Sequence, residues 1–392
     1  MLRLLPLLLI AGSSTALVAQ APARPPIPAE PFAAPGGPYA VGTREFHWID
    51  SDRPEIFTKD AADRRHVMVQ VWYPAPAPAA GTERALWIRN LDEYKGSPEF
   101  KQVAHVRTNS VLDAPVLDGR WPVLIYNHGG GWTRWSGTFT TEMLASHGYV
   151  VFAIDHAGFN KTTDFPDGFK FAIDTLGPPK SSGDVSVDAP AFFEWLGQHV
   201  FPVWVADSRF VLDQVGTLSK NAGPFQGKLD LDKVGTLGWS FGGATAVELT
   251  VVDPRVKVGV DQDGQLFGNI RTKGSTRPVM LMHNTDDPTA SVPAAQKEVM
   301  AKLVAETRAM DSVARALSTG PFAEVWIERT GHGHFSDLTF VYRPDSTKML
   351  TARRAHEIIN GYTLAFFDRY LMGKKDVALP VFPEARVVVG KK

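Results

Sequence analysis

The chain contains no cysteine. Disulfides, thiolate zinc sites, cysteine nucleophiles and a lipoprotein anchor are therefore excluded. It has no excess of charge of either sign, with 41 Lys+Arg against 42 Asp+Glu, so neither a nucleic acid nor an acidic surface is implied as partner. It has no internal repeat and, after the first residues, no apolar run long enough to span a bilayer. What is present is an ordinary enzyme composition, 392 residues with 44% hydrophobic side chains, enough for a large core.

The first residues read as a targeting segment. A short positive start (Met1-Leu2-Arg3), an apolar run (Leu4–Ala11) and small residues from Ala16 to Ala21 predict a signal peptide over 1–21 and export to the periplasm or medium. Residues 22–38 are rich in Pro and Ala and predict a disordered or extended lead-in. Residues 39–392 then read as one catalytic domain.

Apolar runs at Val41–Ile49, His66–Tyr73, Pro122–Tyr126, Tyr149–Ile154, Val234–Leu237, Val256–Val260, Pro278–Met282 and Ala323–Ile327 predict strands. Helical patterns at Thr138–His147, Ala189–Leu218, Ala294–Leu317 and Arg353–Met372 alternate with them. Such alternation predicts an α/β fold, a mostly parallel central sheet covered by helices on both faces.

The organising stretch is Val234–Val247, VGTLGWSFGGATAV. An apolar strand runs into Gly238-Trp239-Ser240-Phe241-Gly242, and a small-residue helix follows. G-x-S-x-G between a strand and a helix is a nucleophile elbow and points to the α/β-hydrolase architecture. Ser240 is the predicted nucleophile. It needs a histidine base held by a carboxylate, in the chain order Ser, acid, His. His332, in Gly331-His332-Gly333-His334 just past the last predicted strand, is the predicted base, and His334 is its competitor.

The acid stays open at this point. Asp261 closes the strand after that of the nucleophile; Asp286 and Asp287 close the one beyond it. Asp263 lies two residues past Asp261, where it would contact substrate or solvent. The oxyanion hole is expected from the backbone N–H groups of Phe241 and Gly130, the latter in His128-Gly129-Gly130-Gly131, with His128 fixing that loop. Trp132, Trp135 and Phe139 either line a substrate site or pack as a helix start. His332-x-His334 with Asp337 lacks the spacing of a helical metal pair, so neither a metal nor a cofactor is expected.

Together VWYPA (Val71–Ala75), VLIYNHGGG (Val123–Gly131), LASHGYVVFAIDH (Leu144–His156), GWSFGGAT (Gly238–Thr245), VGVD (Val258–Asp261) and GHGHFSDLTF (Gly331–Phe340) resemble the platelet-activating-factor acetylhydrolase family of α/β-hydrolases. The resemblance implies a serine esterase that needs no cofactor and cleaves short or oxidised acyl groups from phospholipids. It matches Ser240 to the nucleophile, Asp261 to the acid, ahead of Asp286, and His332 to the base. Phe241 and Gly130 match the oxyanion residues. The expected partner is a small-molecule or lipid ester, with transient membrane-surface contact compatible with it. The rivals are a polyester or cutinase-like carboxylesterase of the same fold and a non-catalytic binding module on that fold.

Overall fold

The computed structural model describes residues 27–89, 98–159, 165–169, 177–287, 289–290, 293–342 and 347–390. The predicted signal peptide, 1–21, lies outside them. The chain forms β1 (Ala40–Pro54), β2 (Arg64–Ala75), α1 (Pro98–Lys101), β3 (Val111–Leu112), β4 (Trp121–Asn127), α2 (Thr138–Ser146) and β5 (Val150–Asp155). There follow α3 (Val185–Trp195), a π-helical turn, α4 (Phe201–Lys220), β6 (Leu229–Trp239), α5 (Phe241–Val252), β7 (Val256–Gln262), α6 (Ile270–Lys273) and β8 (Val279–Asn284). The last elements are α7 (Lys297–Leu317), β9 (Phe322–Ile327), α8 (Leu338–Tyr342), α9 (Ala352–Tyr370) and β10 (Ala385–Val389).

The ten strands make one sheet in the order β10-β9-β8-β7-β6-β4-β5-β2-β1-β3. β5, β4, β6, β7, β8 and β9 are mutually parallel; β2 pairs antiparallel with both β5 and β1, and β10 antiparallel with β9. This is the α/β-hydrolase architecture that the elbow predicts.

The alternating side chains of the strands feed two cores. Leu124 and Tyr126 of β4 and Val258 and Val260 of β7 pack with Ile358, Tyr362 and Phe366 of α9. Val123 and Ile125, on the opposite face of β4, pack with Val211, Leu212 and Val215 of α4. The central strands read as unbroken apolar runs because both of their faces are covered. Each large side chain taken wholly from water in these layers contributes about 1.5–3 kcal/mol.

Two features depart from the sequence expectation. Residues 27–38 take the extended alternative of the predicted lead-in (22–26 lie outside the described residues) but are docked on the domain: Ile27 and Phe32 are buried, and Phe32 sets its ring edge-on against Trp87 and Phe340. Arg107 N–H also donates to the Ala29 carbonyl. The prolines here lack the N–H that regular pairing needs, yet two large apolar side chains suffice to dock an extended segment. The strand β10 is also absent from the sequence reading. Its ARVVV stretch is an edge strand of five residues, partly exposed, and carries no periodicity that separates it from a tail.

Candidate active site

Ser240 stands between β6 and α5 with φ +58° and ψ −125°. That is left-handed backbone, costing a non-glycine residue of order 1–3 kcal/mol, and it lifts the side chain clear of the sheet. The turn closes because Gly242 has no side chain: a Cβ there would collide with the Asn127 and His128 carbonyls of the strand next door. The Ser240 N–H donates to the Gln262 carbonyl, which anchors the elbow to β7.

His332 lies in the 3₁₀ turn after β9. Its Nε2 is 2.9 Å from Ser240 Oγ, and its Nδ1 is 2.6 Å from Asp263 Oδ2. The imidazole is 35% exposed while the carboxylate is 6% exposed, so the base is reachable and its partner is shielded. Asp263 also accepts from the Asn284 backbone N–H at 2.8 Å and from Asn284 Nδ2 at 2.6 Å. Burial works to raise the Asp263 pKa, but the His332 contact and the two Asn284 donors outweigh it and hold it at about 2.

The carboxylate that meets His332 is therefore Asp263 and not Asp261, the acid expected from the sequence and the family resemblance. Asp261 is the last but one residue of β7, and its carboxylate lies against Gly243 and Gly264 beneath the first turn of α5. It accepts from the Gly264 N–H at 2.7 Å and does not reach His332. Burial pushes its pKa well above the usual carboxylate range, with Asp311 and Asp263 adding to the shift. The pleat explains the exchange. While the strand continues, Asp261 faces the covering helix. At Asp263 the backbone passes to φ +63°, leaves the strand and turns the carboxylate over the sheet edge. Aspartate tolerates this conformation better than most residues. The Asp-Gly turn at 263–264 is the signal that could have identified it.

Asp286, the alternative acid, is exposed, and its N–H donates to Asn284 Oδ1. His334, the alternative base, is buried with Nε2 3.0 Å from the Leu350 carbonyl and Nδ1 accepting from the Gly331 N–H. Asp337 accepts from the Thr138 and Phe139 N–H groups at the start of α2. His332, His334 and Asp337 thus face three different partners.

The N–H of Phe241, first residue of α5, has no hydrogen-bond partner among the described residues, and neither does that of Gly130. The positive end of the α5 dipole adds to the first of them. The loop carrying Gly130 is tightly held. His128 Nε2 accepts from the His156 N–H at 3.2 Å, so Nδ1 carries the proton and donates to the Gly129 carbonyl at 2.7 Å. Burial, reinforced by His156, pushes the His128 pKa well below the usual value and keeps this neutral tautomer. Behind it His156 stacks on Trp204 and meets Asp207 at 3.0 Å. Asp207 is paired in turn with the buried Arg65.

Trp239 is a positioning residue that the sequence reading passed over. Its Nε1–H donates to the His332 carbonyl at 3.1 Å, and its ring fills the place where a Cβ on Gly129 would fall. One side chain thus braces both the base loop and the oxyanion loop. Trp132, Trp135 and Phe139 are buried; Trp135 packs edge-on to Trp87, and Phe139 stacks on His356.

A second acidic side chain lies under the site. Asp311 of α7 is buried, and Arg308 Nη1 stands 3.8 Å from its carboxylate. Burial, with Glu324 and Asp263 adding to it against the pull of Arg308 and Arg315, raises its pKa to about 7. An acid whose folded pKa is raised favours the fold while protonated and loses that contribution as pH rises from about 4 through about 7. Asp311→Asn removes this loss. The variant is expected to unfold at higher urea than the parent at pH 8.5 and to show no such gain at pH 5. The difference between the two pH values is of order 2–4 kcal/mol. Equal displacement of the midpoint at both pH values would refute it.

Residues 29–163 match the family described as platelet-activating factor acetylhydrolase, isoform II. A probable 1-alkyl-2-acetylglycerophosphocholine esterase of Arthroderma benhamiae is 29% identical over 157 residues, 39% of this chain and 34% of that protein. A platelet-activating factor acetylhydrolase of Cavia porcellus is 23% identical over 377 residues, spanning 86% of this chain and 77% of the relative. Among solved structures, a ferulic acid esterase from Streptomyces cinnamoneus superposes with a TM-score of 0.71 at 26% identity, covering 92% of this chain and 99% of that one. The chain is thus similar, over residues 29–163, to the platelet-activating factor acetylhydrolase, isoform II, family, and it has an α/β-hydrolase fold.

Proposed function

We propose that this protein is a serine esterase that hydrolyses carboxylic esters through an acyl-enzyme. The observation that carries the reading is the His332 imidazole set between Ser240 Oγ at 2.9 Å and Asp263 at 2.6 Å. Ser240 Oγ attacks the ester carbonyl as its proton passes to His332 Nε2. Asp263 keeps the other proton on Nδ1 and stabilises the imidazolium. The Phe241 and Gly130 N–H groups hold the tetrahedral oxyanion. Collapse expels the alcohol, which takes the proton from Nε2. Water, deprotonated by His332, then attacks the acyl-serine, and a second collapse releases the acid and restores Ser240.

The relatives' names favour short acyl esters of lipids. The structural neighbour's name favours a second acyl class. Phe241 is ringed by Trp204 at 4.8 Å, Phe267 at 5.2 Å and Phe159 at 5.9 Å between ring centroids. These rings are buried against one another, so the cluster is the wall behind the oxyanion donors, and the aromatic-acid reading rests on likeness to the ferulic acid esterase neighbour. The test is hydrolysis of p-nitrophenyl esters of increasing acyl length and of methyl ferulate, with Ser240→Ala as blank. Turnover confined to acetyl and other short chains supports the lipid-acetyl reading. Preference for methyl ferulate supports the aromatic one, and activity rising with chain length supports a lipase or polyester hydrolase. No Ser240-dependent turnover on any of them sinks the esterase reading.

Export is proposed from the sequence of residues 1–21. No helix of the described residues is long and apolar enough to cross a membrane.

A further inference from the structure

Three strands from β6 along the sheet, two histidines and an aspartate converge. His47 of β1 and His66 of β2 are diagonal neighbours on one face, since Ile49 pairs with His66 and His47 with Met68. His47 Nε2 lies 2.9 Å from His66 Nδ1. Asp167 Oδ2, from the stretch following β5, lies 3.6 Å from the same His66 nitrogen. All three ligand atoms fall within 4.8 Å of one another.

We propose that His47, His66 and Asp167 form a divalent transition-metal site, taking zinc, that ties the segment after β5 to the β1–β2 hairpin. Donors 2.0–2.2 Å from a tetrahedral zinc stand roughly 3.4 Å apart, and the observed 2.9 and 3.6 Å bracket that spacing. Two imidazoles with one carboxylate select zinc and its neighbours over calcium or magnesium, which take oxygen ligands.

The surroundings hold the donors in place. Asp167 Oδ1 accepts from the Phe169 N–H at 3.0 Å, which leaves Oδ2 for the metal. The His66 ring is stacked on Phe169, centroids 4.1 Å apart, with Phe165 edge-on at 5.1 Å. Asp167 is 39% exposed, so the fourth position opens to water. The site lies at the same end of the sheet as Ser240, because Met68 pairs with Asp155, the last residue of β5. At about 4.8 Å per strand it is roughly 14–19 Å from the elbow, too far to touch a reacting ester. Its role is to fix the segment that leaves β5 beside His156 and the oxyanion loop. The inference is independent of the esterase reading.

The experiment strips the full-length protein with EDTA and titrates it with zinc alone by calorimetry. Cobalt is then used as a spectroscopic stand-in, and the melting temperature is followed with each ion. One zinc per chain, a tetrahedral cobalt absorption band and a higher melting temperature in zinc are expected. His47→Asn should abolish the site, and Asp167→Asn should weaken it tenfold or more. Circular dichroism in EDTA checks that each variant folds, and if His47→Asn does not, the exposed Asp167→Asn carries the test. Absence of stoichiometric binding would mean two imidazoles sharing one hydrogen bond and would overturn the proposal. So would zinc affinity unchanged in the Asp167 variant, which would place the ion elsewhere.

Discussion

Ser240→Ala is expected to lower kcat for p-nitrophenyl acetate by about 10⁶-fold, with the fold intact. Alanine deletes the attacking oxygen but leaves His332, Asp263 and the oxyanion donors in place. What remains is the fraction of catalysis due to binding and oxyanion stabilisation, about 10³–10⁴ over water. His332→Ala should cost about as much, and the double variant little more than either, because the groups act as one unit. Kinetics of the three variants check this. Additive losses, or substantial turnover without Ser240, would mean a different nucleophile.

The second large effect separates two aspartates that stand two positions apart. Asp263→Asn should lower kcat by about 10⁴-fold. The carboxylate accepts from His332 Nδ1 and from both Asn284 donors. An amide in its place has a single acceptor oxygen and presents an NH₂ group to a partner that must itself donate. His332 then takes the tautomer with its proton on Nε2, and Ser240 has no base. Asp261→Asn should retain most of the activity, since Asp261 makes no bond to His332 and an amide oxygen can still accept from the Gly264 N–H. Asp286→Asn, at an exposed side chain, should do the same. Loss of activity in the Asp261 variant together with its retention in the Asp263 variant would move the acid back to the strand end.

The same geometry sets a pH expectation within this test. Asp263, held at about 2, keeps its charge through the working range. The acid limb of kcat/KM therefore does not come from Asp263. The stabilising contribution of Asp263, whose folded pKa is depressed, is present above about pH 4 and is lost as pH falls toward 2.

Much of this site is legible in the chain because it is local. The elbow is written as Gly-x-Ser-x-Gly since only that spelling closes so sharp a turn, and strand, serine and helix follow one another in sequence. The parallel sheet is legible for a similar reason, because strands covered on both faces must be continuous apolar runs. His332 could be inferred from the glycines around it and from its position after the last parallel strand.

Which aspartate meets His332 was a tertiary decision. Asp261 and Asp263 have the same chemistry and lie two positions apart, where an ideal strand would point both the same way. Asp263 differs because the backbone leaves the strand at a positive φ, and because Asn284, from the next strand, supplies two donors that no local pattern announces. Trp239 is similar. Its bracing of two loops depends on what β4 and the turn after β9 place beside it. Sequence determined which side chains reach the catalytic end of the sheet. The path of the backbone past that end, and the neighbours it meets there, decided which of them touch.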